Sequence, residues 1–164
     1  MQQVNLNKTT VLNTNCTMIT VKRIAVSQTY EVRQPVLRQG KPIESCFFEG
    51  DDLPTTFHYG LFENEKIQGV ISVYENENLL FEEKDQIQIR GMAVLEKNQR
   101  KGFGQQLVAH CEMEMMSQNK KLIWFNARVT AVGFYEKMGY SIIGNSFDIK
   151  DVGLHFVMYK KLRN

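Results

Sequence analysis

The segment Gln99-Arg100-Lys101-Gly102-Phe103-Gly104 lies between a strand-like run and a helix-like run. Glycine adopts backbone conformations with positive φ and lets a bulky ligand approach without a Cβ in the way. A helix that follows such a turn adds the unpaired N–H groups of its first turn and the positive end of its dipole. This context predicts a loop whose backbone N–H groups bind a phosphate. The alternative is an ordinary tight turn with Arg100 and Lys101 in solvent.

Two other phosphate-binding loops are excluded by the neighbouring residues. The dinucleotide fingerprint G-x-G-x-x-G needs a third glycine, where this chain has Leu107, and an acidic residue about 20 positions further on. The region at that distance reads Leu122-Ile123-Trp124-Phe125-Asn126. A Walker loop needs Gly-Lys followed by Ser or Thr, a triplet that the chain lacks. The sequence therefore predicts a phosphate ligand other than NAD or a metal-bound triphosphate.

Composition indicates one domain in a reducing compartment. The chain has 164 residues, 43% of them hydrophobic, and a net charge of +2 from 20 basic and 18 acidic residues, which gives no footprint for nucleic-acid binding. Its cysteines, Cys16, Cys46 and Cys111, form no C-x-x-C motif and predict reduced thiols rather than a disulfide or zinc site. No apolar run of membrane-spanning length occurs. We expect a cytoplasmic protein with no membrane or nucleic-acid partner.

Residues 1–17 are polar, rich in Asn and Thr, and unlike a secretory signal. We interpret them as a flexible tail before a single domain at 18–164, with Met18 as an alternative start. Hydrophobic periodicity predicts strands at 20–25, 57–62, 67–74, 86–90, 122–125, 141–143 and 154–159. It predicts helices around 30–37, interrupted by Pro35, after the glycine loop, and at 131–138, which Gly139 would end. Residues 39–54 read as a long loop, and strand–helix–strand across 86–125 as a parallel βαβ unit.

The spacing Q-x-x-G-x-G resembles the acyl-CoA pyrophosphate loop of the GNAT (GCN5-related) N-acetyltransferase superfamily. Arg90-Gly91-Met92-Ala93-Val94 resembles its central splayed strand, and Phe125-Asn126-Ala127-Arg128 with Phe134-Tyr135-Glu136-Lys137-Met138-Gly139-Tyr140 resembles its second CoA motif. Gly153-Leu154-His155-Phe156-Val157-Met158 is similar to the last strand of many bacterial members. The resemblance covers about residues 57–162 and implies a small bacterial member. It implies an α+β fold with a central mixed, mostly antiparallel twisted sheet, a splayed central strand pair and flanking helices.

The resemblance also implies acetyl-CoA as co-substrate and no metal. It makes the Val94 N–H the donor to the developing oxyanion and Tyr135 the general acid for the CoA thiolate. The alternative is that Val94 and Tyr135 are ordinary core residues. The residues expected to contact the cofactor are Met92, Ala93, Val94, Gln99, Arg100, Lys101, Gly102, Phe103, Gly104, Gln105, Asn126 and Tyr135.

The general base is not identified, because Gln88 stands where many family members have a glutamate. A water chain, His155 or Glu82 could take that role. The loop Cys46–Asp52 combines aromatic residues with carboxylates that would attract a cationic amine; the alternative is a solvated acidic loop. The expected acceptor-side residues are Arg33, Arg38, Glu49, Asp51, Asp52 and His155.

We therefore expect transfer of an acetyl group from acetyl-CoA to a primary amine of a small molecule, or to an exposed amino group. The first alternative is a non-catalytic acyl-CoA-binding sensor or structural protein of the same fold. The second is a nucleotide-binding regulatory module that uses the same loop. A homodimer is left open.

Overall fold

A computed structural model describes residues 17–150 and 152–162, which form one seven-stranded sheet flanked by helices. The predicted tail lies outside the described residues except for Thr17, and so does Cys16. The strands are β1 Ile19–Ile24, β2 Phe57–Glu63, β3 Lys66–Glu75, β4 Gln86–Val94, β5 Leu122–Arg128, β6 Ser141–Ile149 and β7 Gly153–Lys161. The α-helices are α1 Val26–Leu37, α2 Phe103–Ser117 and α3 Val132–Glu136, and short 3₁₀ helices cover Ile43–Cys46, Glu96–Asn98 and Val129–Ala131.

The strands lie in the order β1-β2-β3-β4-β5-β7-β6. Every neighbouring pair is antiparallel except β4 and β5, which are parallel and joined through α2. The predicted α+β fold with a mixed, mostly antiparallel sheet is confirmed, and so are the parallel pair and the antiparallel closing strands.

Successive strand residues point to opposite faces of the sheet. Both faces carry apolar side chains, and a helix packs on each of them. Ile87 and Ile89 of β4 belong to the main core with Leu107 of α2, which defines the α2 face. Ala93 of β4 packs with Val32 of α1 on the other side, the α1 face. The two cores thus hold α2 and α1 against β4 from opposite faces of the sheet.

The predicted elements are found with shifted bounds; α1, for example, begins at Val26 and continues through Pro35 to Leu37. Two of the shifts have a clear local cause. The helix predicted at 131–138 is only Val132–Glu136, preceded by a 3₁₀ turn. It ends early because Gly139 adopts φ +86° and its N–H bonds the Glu136 carbonyl at 2.9 Å. The strand predicted at 141–143 continues to Ile149, because a register shift after Ile143 lets pairing with β7 resume at Phe147.

The central pair splays apart. Residues 86–88 of β4 pair with residues 122–124 of β5, and pairing stops there. Beyond that point β4 continues to Val94 and β5 to Arg128 without pairing. β4 also bulges against β3, since Val70 lies opposite Ala93 but Ser72 lies opposite Arg90. The divergence opens a cleft of about 900 Å³ between the second halves of the two strands.

Candidate active site

The backbone of β4 directs an N–H group into this cleft. The Leu95 N–H donates to the Gln68 carbonyl at 2.9 Å, on the β3 side. Neighbouring residues of a strand direct their amides to opposite edges, so the Val94 N–H points to the edge that β5 leaves open. The Val94 carbonyl is on that same edge and accepts a bond from Gln99 Nε2 at 3.1 Å. Val94 therefore offers a donor in the cleft.

The glycine loop lies at the cleft mouth, where α2 begins. Arg100 and Gly102 adopt φ +63° and +81°, and Gly102 is the N-cap of α2 without a side-chain cap. The first N–H groups of a helix have no partner within it, so those of Phe103, Gly104 and Gln105 are available to a ligand. A Cβ at Gly104 would lie 3.3 Å from Cζ of Phe134. Two features fit a bound pyrophosphate. The first N–H groups of α2 are uncapped, and the space beside Gly104 is open only because this residue has no side chain.

Lys101 is the exception within this loop. Gln99, Arg100, Gly102, Phe103, Gly104 and Gln105 all line the cleft, together with Met92, Ala93, Val94 and Asn126. Lys101 does not line it, and its Nζ donates to Asn98 Oδ1 at 2.7 Å. Asn126 is exposed within the cleft. Lys101 is therefore positioned to brace the loop rather than to contact a ligand.

Tyr135 brings a hydroxyl to the cleft from α3. Its ring is 7% exposed, lines the cleft, and lies 4.3 Å from the ring of Phe125 and 4.9 Å from that of Phe134. Burial raises the pKa of Tyr135 well above its ordinary value. The phenol is therefore protonated at neutral pH and able to donate a hydrogen bond or a proton.

On the α1 face, the cleft wall is formed by Phe48 with Arg38 and Arg90 stacked on it. The guanidinium carbons of Arg38 and Arg90 lie 5.0 and 5.4 Å from the Phe48 ring centre. Arg38 Nε donates to the Ser45 carbonyl at 3.0 Å, and Arg90 Nη1 to the Glu49 carbonyl at 2.9 Å. The backbone of this loop thus holds both guanidinium groups beside the cleft.

His155 and Arg128 extend the same wall from β7 and β5. They are paired in register and both line the cleft. His155 Nδ1 lies 2.6 Å from the Gly153 carbonyl, which can only accept, so Nδ1 carries the proton. In the neutral ring, Nε2 then has the free lone pair. His155 is accordingly able to take a proton from a bound group.

Arg33 and Asp51 do not line the cleft. Both side chains have no exposed surface and form an ion pair, with Arg33 Nη1 2.5 Å from Asp51 Oδ2. Arg33 Nη2 also donates to Ser72 Oγ at 2.8 Å, and the Phe48 N–H donates to Asp51 at 2.7 Å. The Tyr74 hydroxyl donates to the same carboxylate. Arg33 and Asp51 are therefore not placed to contact an acceptor, contrary to the expectation, because their hydrogen bonds fix the loop to the sheet.

The remaining acidic residues also lie outside the cleft. Glu49, Asp52 and Glu82 are exposed and absent from its lining. Gln88, at the position of the family glutamate, is 8% exposed, and its Oε1 accepts from Asn76 Nδ2 at 2.9 Å. In the part of the chain described, no Asp or Glu lines the cleft, whereas its basic residues are Arg38, Arg90, Arg100, Arg128 and Lys137.

Arg90 and Arg128 were not predicted as acceptor-side residues, and Phe48 was included only as part of the loop Cys46–Asp52. The sequence does contain one indication of their position. In Gln88-Ile89-Arg90 and Asn126-Ala127-Arg128 polar and apolar residues alternate, which places each arginine on the strand face opposite the apolar residue. Which loop covers that face depends on packing between distant segments. The sequence pattern alone did not reveal it.

The described residues offer neither a metal-binding cluster nor a membrane-spanning helix. Among residues 17–150 and 152–162, no group of three or more His, Cys, Asp or Glu side chains is placed to hold a metal ion. Cys46 and Cys111 are buried free thiols. Over the same residues, no helix has the length and apolar character required to cross a membrane.

Known proteins share both the sequence pattern and the fold. A family model described as the acetyltransferase (GNAT) domain matches residues 48–163. The "Uncharacterized N-acetyltransferase YitI" of Bacillus subtilis strain 168 is 36% identical over 146 residues, covering 89% of this chain and 98% of that protein.

Solved structures with low sequence identity have the same fold. The ribosomal-protein-S18-alanine N-acetyltransferase of Escherichia coli is 18% identical with a TM-score of 0.70, covering 88% of this chain and 94% of that one. An aminoglycoside 6′-N-acetyltransferase complexed with coenzyme A is 14% identical with a TM-score of 0.71, covering 88% and 98%. Since the family model spans most of the sequence and the B. subtilis relative aligns along nearly all of its own length, this chain belongs to the GNAT acetyltransferase family.

Proposed function

We propose that the protein is an acetyl-CoA-dependent N-acetyltransferase that acts on a primary amine. The observation that carries the proposal is the convergence of three groups on one cleft: the Val94 N–H, the uncapped amides of α2, and the Tyr135 hydroxyl. Transfer from a CoA thioester would use each of them: the α2 amides to hold the phosphates of CoA, the Val94 N–H to stabilise the developing oxyanion, and the Tyr135 hydroxyl to protonate the thiolate.

Acetyl-CoA would supply the activated acetyl group as a thioester. The amine nitrogen forms a bond to the acetyl carbon, and the carbon–sulfur bond breaks. The Val94 N–H donates to the carbonyl oxygen while negative charge develops there, and Tyr135 protonates the departing sulfur. The amine gives up one proton, which His155 Nε2 is able to accept directly or through water. Solvent exchange then returns Tyr135 and His155 to their starting states.

A non-catalytic acyl-CoA-binding protein is the second candidate. It is favoured by the absence of any carboxylate from the described lining of the cleft and by Gln88 at the glutamate position. The available hydroxyl of Tyr135 argues for catalysis, since a protein that only binds CoA has no use for a proton donor at the sulfur.

The decisive experiment measures release of free thiol from acetyl-CoA in the presence of amines, amino acids and polyamines. We expect turnover with at least one class of acceptor, and stabilisation of the fold by acetyl-CoA in a thermal melt. NAD and ATP should give little or no shift. Stabilisation without turnover for any acceptor would leave the binding-protein candidate, and a large shift with ATP would indicate a nucleotide-binding module.

A further inference from the structure

We propose that the acceptor amine also carries a carboxylate, which Arg38 and Arg90 bind on the α1 face of the cleft. This inference rests on the proposed function, because it names the class of substrate for the same site. It reverses the expectation that an acidic loop attracts a purely cationic amine.

The two arginines are not on the side of the sheet where the glycine loop begins. Ile87 and Ile89 point to the α2 face, so Arg90, next along β4, points to the α1 face. Arg38 follows the last residue of α1 and reaches the same wall of the cleft. The phosphates of CoA are expected at the N-terminus of α2. Arg38 and Arg90 are therefore left for the second substrate.

Neither guanidinium is neutralised by the protein. Over the described residues, Arg38 and Arg90 form no ion pair with Asp or Glu, in contrast to the buried pair of Arg33 and Asp51. Their bonds to backbone carbonyls engage Nε and Nη1 of Arg38 and Nη1 of Arg90, whereas neither Nη2 group has a protein partner among the described residues. A planar carboxylate matches this arrangement of donors.

The two groups are also held in place before any ligand binds. Both guanidinium groups lie over the Phe48 ring, and the Phe48 N–H donates to the buried Asp51 carboxylate at 2.7 Å. Carbonyls of the same loop orient Arg38 and Arg90. A preorganised pair loses less conformational freedom on binding than two mobile side chains would. A polyamine would meet only positive charge on this wall, which disfavours that class of acceptor.

The test compares amines that differ only in charge: amino acids, their carboxamides, aminoalkyl phosphonates and polyamines. The wild type should acetylate an amino acid about 10- to 100-fold more efficiently, in kcat/KM, than its carboxamide, as expected for a charge-assisted contact. Arg90→Gln and Arg38→Gln should each remove most of that preference by raising KM for the acid alone. Arg90→Lys should restore part of it, since it keeps the charge and loses the fork.

Arg23→Gln is the matched control, because Arg23 also stacks on an aromatic ring, at 4.2 Å from the centre of Phe57, and lies outside the cleft. Circular dichroism melts establish that each variant is folded. Equal efficiency for acid and carboxamide, a preference for polyamines, or a preference for phosphonates would each overturn the carboxylate assignment.

A binding measurement separates this proposal from the proposed function. With saturating CoA, N-acetylated amino acids should stabilise the wild type more than their amides, and Arg90→Gln should abolish the difference. Such binding without any turnover would contradict the enzyme and keep the anion site. Turnover without a preference for the acid would keep the enzyme and contradict the anion site. Failure of both acids and amides to bind overturns the carboxylate proposal.

Discussion

The two sides of the cleft are built in different ways. The α2 side is one short segment, Gln99 to Gln105, of which every residue except Lys101 lines the cleft, and its donors are backbone amides at a helix start. The α1 side takes single side chains from five segments: α1, the loop after it, β4, β5 and β7. The first depends on local conformation, and the second on distant parts of the chain packing correctly. The two sides of the cleft should therefore respond differently to mutation.

The α1 side depends on one buried polar network. Burial by itself would raise the pKa of Asp51, but hydrogen bonds from Arg33, the Phe48 N–H and Tyr74 outweigh it and hold that pKa below its usual value. The carboxylate is therefore charged in the folded protein at neutral pH, as its pairing with Arg33 requires. The network joins α1, the loop and β3.

The largest expected effect is on stability, from Asp51→Asn. The substitution leaves the Arg33 guanidinium buried and unpaired, which should lower the free energy of unfolding by about 3–5 kcal/mol. Urea denaturation followed by circular dichroism measures it. The control is Asp52→Asn, next to it in the chain but exposed, for which a change within about 0.5 kcal/mol is expected. Equal losses in both variants would mean that the buried pair contributes nothing special.

Gly104→Val should break the α2 side with little effect on the α1 side. The new side chain would crowd Phe134 and occupy the space beside the first amides of α2. Stabilisation by acetyl-CoA, about 2.7 kcal/mol at 100 times the dissociation constant, should disappear from thermal melts. Gly133→Val is the control, since its Cβ would meet nothing within 4 Å and Gly133 lies outside the cleft. A full acetyl-CoA shift in Gly104→Val would show that phosphates bind elsewhere.

What could be predicted from the sequence follows the same division. The parallel strand pair and the turn before α2 were predicted because hydrophobic period and glycine placement act over a few residues. The roles of Asp51 and Arg90 were not, because a carboxylate in a polar loop looks the same whether it faces solvent or a buried guanidinium. The bulge at Gly91 also escaped prediction; there φ is +62° and a Cβ would lie 2.9 Å from Arg33 Nε. That contact arises only after α1 packs on the sheet.

Tyr135→Phe tests the chemistry shared by both sides. It keeps the ring packed on Phe125 and removes the proton donor, so turnover should fall about 10²-fold while acetyl-CoA binding and melting temperature change little. Tyr140→Phe is the control, because Tyr140 is 2% exposed in the same aromatic cluster and does not line the cleft. Full turnover in Tyr135→Phe with a proven acceptor would make Tyr135 a packing residue only.

The smallest expected effect is a pH dependence of stability that arises from the α1 side alone. Burial lowers the pKa of His58 below its ordinary value, so the ring is neutral in the folded protein. His58 Nε2 lies 2.8 Å from the Asp51 carbonyl and donates to it, while Nδ1 lies 2.6 Å from Ser72 Oγ and accepts from it. Protonation of Nδ1 would remove that acceptor.

In the unfolded chain, His58 should titrate near pH 6.5. Below that pH, His58 binds a proton in the unfolded chain but stays neutral in the folded protein, because its folded pKa is lower. The contribution of His58 to the free energy of unfolding is therefore fully present above about pH 6.5 and falls as the pH decreases towards the folded pKa. The loss is at most about 1.4 kcal/mol per pH unit. Urea titrations from pH 7.5 to 5, above the range where Asp51 titrates, should show this slope in the wild type and a smaller one in His58→Gln. His110→Gln, whose ring packs on Tyr59 outside the network, should keep the wild-type slope. If His58→Gln kept it too, the pH dependence would come from a group outside this network.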